Sequence, residues 1–327
     1  MQLPTEFRRA LIDRYEITTP IAEGATASIF LANDHRHGRR VALKVLRPDA
    51  TVAFSDVRFV REIKFLAHLQ HPNILALYDS GLTAGLLYYV MPYVPGETLR
   101  ARLDREKKLP LRTAIRGACE LAGAVDYAHR HGIIHRDIKP ENILLAESHV
   151  LLMDFGIARA LGIAAGEQLT SPLTVGPGTP TYMSPEQFIP GQELDGRSDI
   201  YSMGAVFFEA VSGEPPFRAD GGRAALMRKL SEPAPSLRSI APEIPTAVAD
   251  VVARALATDP DERYASAAEF ANALEAAAAK PDVAAAPGTS APTGAVAMAS
   301  GTSRRLWLAV AVVAAVVIVA VLLLRAR

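Results

Sequence analysis

With one cysteine in 327 residues, the chain cannot form an internal disulfide or a cysteine zinc cluster, and a reducing compartment suits it. That cysteine, Cys119, sits in AIRGACELAGAVDYAH, a helical pattern that predicts a small buried hydrophobe rather than a nucleophile. Charge is balanced, 35 basic residues against 35 acidic. The basic surplus of a dedicated nucleic-acid binder is therefore lacking, and no nucleic-acid partner is expected. The N-terminal MQLPTEFRRALIDRYEI has no apolar stretch of the signal-peptide kind. No internal repeat is present.

Half of the residues are hydrophobic, enough for a sizeable core. Up to about residue 92 the chain reads as short β-type runs: RYEITTPIAE, SIFLAND, RRVALKVLR, ILALYDSG and LLYYVMPYV. One helical pattern, SDVRFVREIKFLAHLQ, interrupts them. Its apolar face is Phe59, Ile63, Leu66 and Leu69, with Glu62 on the edge of that face. From about 97 to 279 the pattern is mostly helical, with a loop-rich middle at 133–195. A β-rich lobe followed by a helical one predicts a cleft between them, where ligands tend to bind. Residues 280–303 are rich in Ala, Pro, Gly, Ser and Thr and keep no apolar period, as in a flexible linker.

LWLAVAVVAAVVIVAVLLL, Leu306 to Leu324, is a 19-residue run without a charge. As a helix rising ~1.5 Å per residue it would be about 29 Å long, close to the ~30 Å hydrocarbon core of a bilayer. Arginines flank it on both sides and Trp307 suits an interface, so a single transmembrane helix is predicted over 306–324. With only three residues after it, no external domain is expected.

Between apolar runs, IIHRDIKPENILL gathers His135, Arg136, Asp137, Lys139, Glu141 and Asn142. LLMDFGIAR follows with Asp154, and VALKVL upstream carries Lys44 in the centre of a β-type run. GTPTYMSPEQ and SDIYSMG come later. Together, and in this order, these motifs resemble those of protein kinases of the bacterial, eukaryotic-like Ser/Thr type, over about residues 11–279. The resemblance implies an α+β, bilobed protein-kinase-like fold: an antiparallel β N-lobe with one helix, about 11–92, and a mainly helical C-lobe, about 97–279. It also implies ATP and Mg²⁺ as cofactors and Ser/Thr protein substrates as partners.

Phosphoryl transfer leaves little covalent work to the protein. Catalysis is mainly positioning and charge compensation. By resemblance, Lys44 holds the α- and β-phosphates and is oriented by an ion pair with Glu62. Asn142 and Asp154 bind Mg²⁺, whose hard-ion chemistry suits oxygen ligands. Asp137 accepts or orients the proton of the substrate hydroxyl, and Lys139 steadies the γ-phosphate. The lysine in HRDIKPEN further suggests Ser/Thr over Tyr specificity. Met91 backs the adenine slot, Val94 offers its N–H, and Ile21, Ile29, Ala42 and Leu144 line it. Thr170, Ser171 and Thr174 are candidate autophosphorylation sites, with Arg136 as a cation able to order a phosphorylated loop. Thr179, the Glu186–Arg263 pair and Asp199 are expected to be structural.

The resemblance weakens at PIAEGATASIF, the β1–β2 turn. There Ala22 and Ala27 stand where the G-x-G-x-x-G pattern has glycine, and only Gly24 remains. Alanine forced into a left-handed conformation costs about 1–2 kcal/mol, roughly tenfold in affinity at most per position. Two other functions stay open: a non-catalytic, ATP-binding membrane scaffold, favoured by the altered loop, and phosphotransfer to a small molecule or lipid. Because ATP is cytoplasmic, the kinase body is expected to face the cytoplasm, tethered by one pass in the cell (inner) membrane and in contact with its lipid. Homodimer formation through the Ala/Val-rich span is a further expectation, although that span has no Gly-x-x-x-Gly.

Overall fold

The computed structural model describes residues 2–24, 26–47, 68–147, 149–155, 181–189, 191–217 and 222–280, with only the backbone of 222–226. They belong to one compact unit, Met1–Asp282. A second unit, Val283–Arg327, lies outside the described residues. So do the expected transmembrane helix at 306–324, the linker beyond residue 280, and Glu62 with residues 55–67 of the helix expected around it, of which the described residues 68–70 are not helical. Among the described residues no helix is long and apolar enough to cross a membrane.

The chain opens with α1 (Thr5–Leu11), ahead of the boundary expected at residue 11. Its Phe7 and Leu11 enter the core beside Tyr15. An antiparallel sheet follows in the order β1-β2-β3-β5-β4: β1 (Tyr15–Glu23), β2 (Ala27–Asp34), β3 (Arg39–Leu46), β4 (Asp79–Thr83) and β5 (Leu86–Pro92). Strand alternation explains its two faces. Phe30, Val41, Leu43, Val45, Tyr88 and Val90 pack with α1 on one face. Ala27, Ala42, Leu46, Leu87, Tyr89 and Met91 form a second cluster on the other. Lys44 falls on this second face, between Ala42 and Leu46, in register with Ile29 on β2 and Tyr89 on β5.

The run ILALYDSG is not one strand. Ile74 forms an isolated bridge to Leu152, and Leu75 N–H donates to Leu152 O at 2.9 Å, so this stretch binds the C-lobe hairpin before β4 begins. Asn73 strengthens the tie, its Nδ2 donating to Val150 O at 2.8 Å.

The second lobe contains a small sheet, β6 (Glu97–Thr98), β7 (Ile143–Ala146) and β8 (His149–Leu152), with α2 (Leu99–Glu106) and α3 (Leu111–Arg130) around it. Gly96 precedes β6 because Leu145 O occupies the place of a side chain there. Helix α4 (Arg197–Ser212) is buried almost all round, as expected of a core helix, and ends at left-handed Gly213. The remaining helices are α5 (Gly222–Ser231), α6 (Leu237–Ile240), α7 (Thr246–Ala255) and α8 (Ala267–Ala279). Cys119 is half-buried on α3 rather than fully buried, and burial pushes its thiol up to about 12, with Glu275 adding to the shift. That makes it a poor nucleophile.

Candidate active site

The loop at 133–139 carries polar groups through an apolar interior, so its backbone must find partners. Fully buried Asp199, on α4, supplies them. Its Oδ1 accepts from Arg136 N–H and its Oδ2 from His135 N–H, both at 2.8 Å. His129 Nε2 donates to the same carboxylate at 2.7 Å. A side chain at Gly196 would come within 2.5 Å of the His129 ring, so glycine lets that histidine reach Asp199. His135 is buried and neutral: its Nδ1 accepts from Asp137 N–H at 3.2 Å and its Nε2 donates to Met153 O at 3.2 Å. Burial lowers its pKa.

Arg136 has φ +66° and Asp154 φ +61°. Non-glycine residues adopt this region at a cost of about 1–3 kcal/mol, and only where the surroundings impose it. At Arg136 the restraint is visible from both sides. Asp199 takes its N–H, and Gln187 Nε2 donates to its carbonyl at 2.9 Å.

Asp137 is thereby presented to the cleft, partly exposed. Its Oδ2 accepts from Lys139 Nζ at 2.7 Å and from Asn142 Nδ2 at 3.0 Å, and Asn142 Nδ2 also donates to Asp137 O at 2.8 Å. With its amide nitrogen so engaged, Asn142 has Oδ1 left for a cation. Met153 N–H donates to Asn142 O at 3.0 Å, which joins this loop to the segment of Asp154.

Lys44 Nζ pairs with Asp154 Oδ2 at 2.6 Å, and the buried Tyr89 hydroxyl donates to Asp154 Oδ1 at 2.6 Å. Burial alone would raise the Asp154 pKa, but the Lys44 ammonium and the Tyr89 hydrogen bond hold it below the usual carboxylate range. The observed partner of Lys44 is thus Asp154, while Glu62 lies outside the described residues. A carboxylate offers about four lone-pair sites, so two donors leave Asp154 room for a divalent ion. Asn142 Oδ1 and Asp154 are the hard oxygen donors that Mg²⁺ takes.

Of the expected adenine-slot residues, Ala42 and Met91 are buried in the cleft-facing cluster and Ile29 packs against it. Leu144 and Val94 are half-buried, and Ile21 is exposed. At the turn, Gly24 N–H donates to Ala27 O at 2.9 Å. Neither Ala22 nor Ala27 has a positive φ. Both are strand-paired, Ala22 with Ile29 just after a register shift in β1 and Ala27 with Leu46 in unbroken register. The strain anticipated for these alanines is absent in this conformation.

Glu186 and Arg263 form a two-pronged pair at 2.7 and 2.8 Å, with Ser198 Oγ donating to Glu186 at 2.6 Å. Thr170, Ser171, Thr174 and Thr179 lie outside the described residues. The sequence reading overlooked Tyr89, His129 and Gln187. Tyr89 was accessible to it, because period-2 alternation puts that residue on the face of Met91.

The Protein kinase domain family model matches residues 15–275. The chain is 43% identical over 266 residues to serine/threonine-protein kinase PknB of Mycolicibacterium smegmatis, covering 79% of this chain and 42% of that protein. It is 41% identical over 270 residues to a probable serine/threonine-protein kinase PknB of Bifidobacterium longum, covering 79% and 38%. This chain therefore spans about two fifths of the length of these relatives. Among solved structures, the Mycobacterium tuberculosis PknI kinase domain matches with TM-score 0.65 and 31% identity, covering 85% of this chain and 100% of that one. Rad53 1–466, solved in complex with AMP-PNP, shares the fold with TM-score 0.67 at 22% identity, covering 81% and 66%.

Proposed function

Because this chain belongs to the protein kinase family, we propose that it transfers the γ-phosphate of ATP to serine and threonine hydroxyls of proteins, its own included. The observation that carries this reading is the Asp137 carboxylate, held at one oxygen by Lys139 and Asn142 and joined through Asn142 and Met153 to the Lys44–Asp154 pair.

In the proposed reaction the substrate hydroxyl approaches Asp137, which orients it and takes its proton. The hydroxyl oxygen bonds to the γ-phosphorus as the bond to the β-phosphate oxygen breaks, leaving ADP. Lys139, already beside Asp137, compensates charge on the group in transfer. Lys44 turns from Asp154 toward the α- and β-phosphates. Mg²⁺ held by Asn142 and Asp154 would supply further charge neutralisation along the phosphates. Ala42, Met91, Ile29, Leu144 and Ile21 would enclose the adenine and Val94 N–H would bond it.

Autophosphorylation at Thr174, Thr170 or Ser171, answered by Arg136, belongs to the same proposal. So does tethering at the cell membrane through 306–324 with the kinase body in the cytoplasm, which the uncharged 19-residue run supports. Protease accessibility of the N-terminus in intact cells tests the topology: protection is expected, and cleavage from outside refutes it.

The test of activity is full-length protein with Mg²⁺ and labelled ATP beside Asp137→Asn. Incorporation in the wild type that falls by about 10²–10⁴ in the variant is expected for loss of a general base. No incorporation in either protein, with ATP still bound, would leave the non-catalytic scaffold as the function.

A further inference from the structure

Lys229, on α5, is 1% exposed. Lysine is almost never fully buried unless paired, and an ammonium withdrawn from water costs several kcal/mol even after relaxation. A methionine of similar reach would fill the same space more cheaply. What the amine does instead is specific. Nζ donates to Thr181 O at 2.5 Å and to Met183 O at 2.7 Å, the carbonyls on either side of Tyr182. It lies 5.5 Å from the Tyr201 ring centroid and 5.9 Å from that of Phe217. Burial pushes its ammonium down to about 7, with the Glu186 carboxylate acting in the opposite direction.

The segment gripped in this way is held from a second side. The Tyr182 hydroxyl donates to Glu209 Oε2 on α4 at 2.5 Å and accepts from Arg100 on α2 at 2.5 Å. One residue further on, Ser184 N–H donates to Gln187 Oε1 at 3.0 Å. Gln187 Nε2 in turn reaches the carbonyl of left-handed Arg136, next to Asp137. Thr181–Met183 runs outside any strand or helix long enough to fix its peptide planes. Here two carbonyls two residues apart converge on one amine, and that sets both planes.

We propose that Lys229 is a positioning residue for the protein substrate: its Nζ hydrogen bonds fix the 181–183 backbone as one wall of the groove in which the acceptor hydroxyl reaches Asp137. This rests on the proposed transfer to protein hydroxyls; Gln187, bonded both to Ser184 and to the Arg136 carbonyl, is what sets the segment beside Asp137. A residue of purely structural use would lower stability when replaced and leave the acceptor's KM alone. A positioning residue changes acceptor recognition and leaves ATP recognition alone.

The experiment uses full-length wild type, Lys229→Met and Lys229→Gln, with full-length Asp137→Asn protein as phosphoacceptor. Loss of the two Nζ hydrogen bonds predicts an acceptor KM roughly tenfold higher in Lys229→Met. The KM for ATP should stay within about twofold, since the ATP contacts are untouched. Lys229→Gln keeps N–H donors without charge and should fall between, and it carries the test if Lys229→Met does not fold. Wild-type acceptor KM in the variants, or an equal rise in the ATP KM, overturns the proposal. Should the wild type phosphorylate no acceptor, the kinase reading itself falls. Amide exchange over 181–189 then decides the clamp, with faster exchange in Lys229→Gln supporting it and unchanged exchange overturning it.

Discussion

Two ion pairs in this protein are built for different ends. Arg263 and Glu186 are 0% and 4% exposed, and the guanidinium is used up: two bonds to Glu186, others to the carbonyls of Ala257, Arg197 and Thr258. Lys44 and Asp154 are 14% and 15% exposed and meet through a single contact at 2.6 Å. Arginine's planar fork suits a fixed two-pronged bond, whereas lysine is a mobile point charge on a flexible stem. The first pair is closed and can only hold the C-lobe together. The second is open to the cleft, and each partner can be handed to a ligand of its own: Lys44 to phosphate, Asp154 to a cation.

The sharpest way to break this comparison is to remove one cation from each pair. Arg263→Met strands a buried carboxylate and three carbonyls, and should cost about 3–5 kcal/mol of stability. Chemical denaturation measures it, and a loss below about 1 kcal/mol would place the pair with ordinary surface bridges. Lys44→Met should act the other way round, with a stability loss of about 1–2 kcal/mol because Tyr89 still serves the carboxylate. Phosphoryl transfer should nevertheless fall by about 10²–10³, the scale of one lost charge-stabilising donor.

Acid sharpens the same contrast. With Lys44 present, folded Asp154 binds its proton more weakly than the unfolded chain does. Its contribution to stability is therefore in place above the ordinary value of 3.8 and is lost as pH falls through the lower folded value. Without Lys44, burial dominates and Asp154 takes up its proton more readily folded than unfolded. The stability gap between Lys44→Met and wild type should hence be widest near neutrality and close below about pH 4. A gap that widens on acidification would show that Lys44 does not set the charge of Asp154.

How much of this was legible in the sequence follows the same division. Asp137, Lys139, Asn142, Lys44 and Asp154 stand in short motifs whose chemistry is local, and the strand alternation of VALKVL already puts Lys44 on one face with Ala42. The pairing of Lys44 with Asp154 is not local, because it depends on how β3 and the end of β8 come together, which no spacing encodes. ILALYDSG misled for a related reason. Its apolar residues bind the hairpin of the other lobe, and a run buried against two lobes has the same pattern as a run inside one sheet. Helix α1 was missed because TEFRRAL is too short for a period to emerge, with Phe7 and Leu11 as its only buried residues. Tyr182, Arg100 and Glu209 were out of reach altogether, since their cluster joins three distant segments.

The smallest expected effect lies in the turn where two glycines are missing, and it turns on the difference between the two alanines and the two strained residues of the site. Arg136 and Asp154 sit at positive φ, while Ala22 and Ala27 do not. If the turn keeps its strand-like form when ATP binds, Ala22→Gly has no strain to relieve. It would only loosen an exposed strand position, a cost of about 0.5–1 kcal/mol in an element interior. ATP affinity measured by titration calorimetry should then change by less than about threefold, because 1.4 kcal/mol is needed for a factor of ten. If the bound form instead requires a left-handed residue at 22, glycine would recover about 1–2 kcal/mol and tighten ATP roughly tenfold. Near-equality is expected, since β1 and β2 pair at Ala22–Ile29 and Glu23–Ser28 up to the turn and leave the close approach to phosphate to Gly24 and the small residues after it.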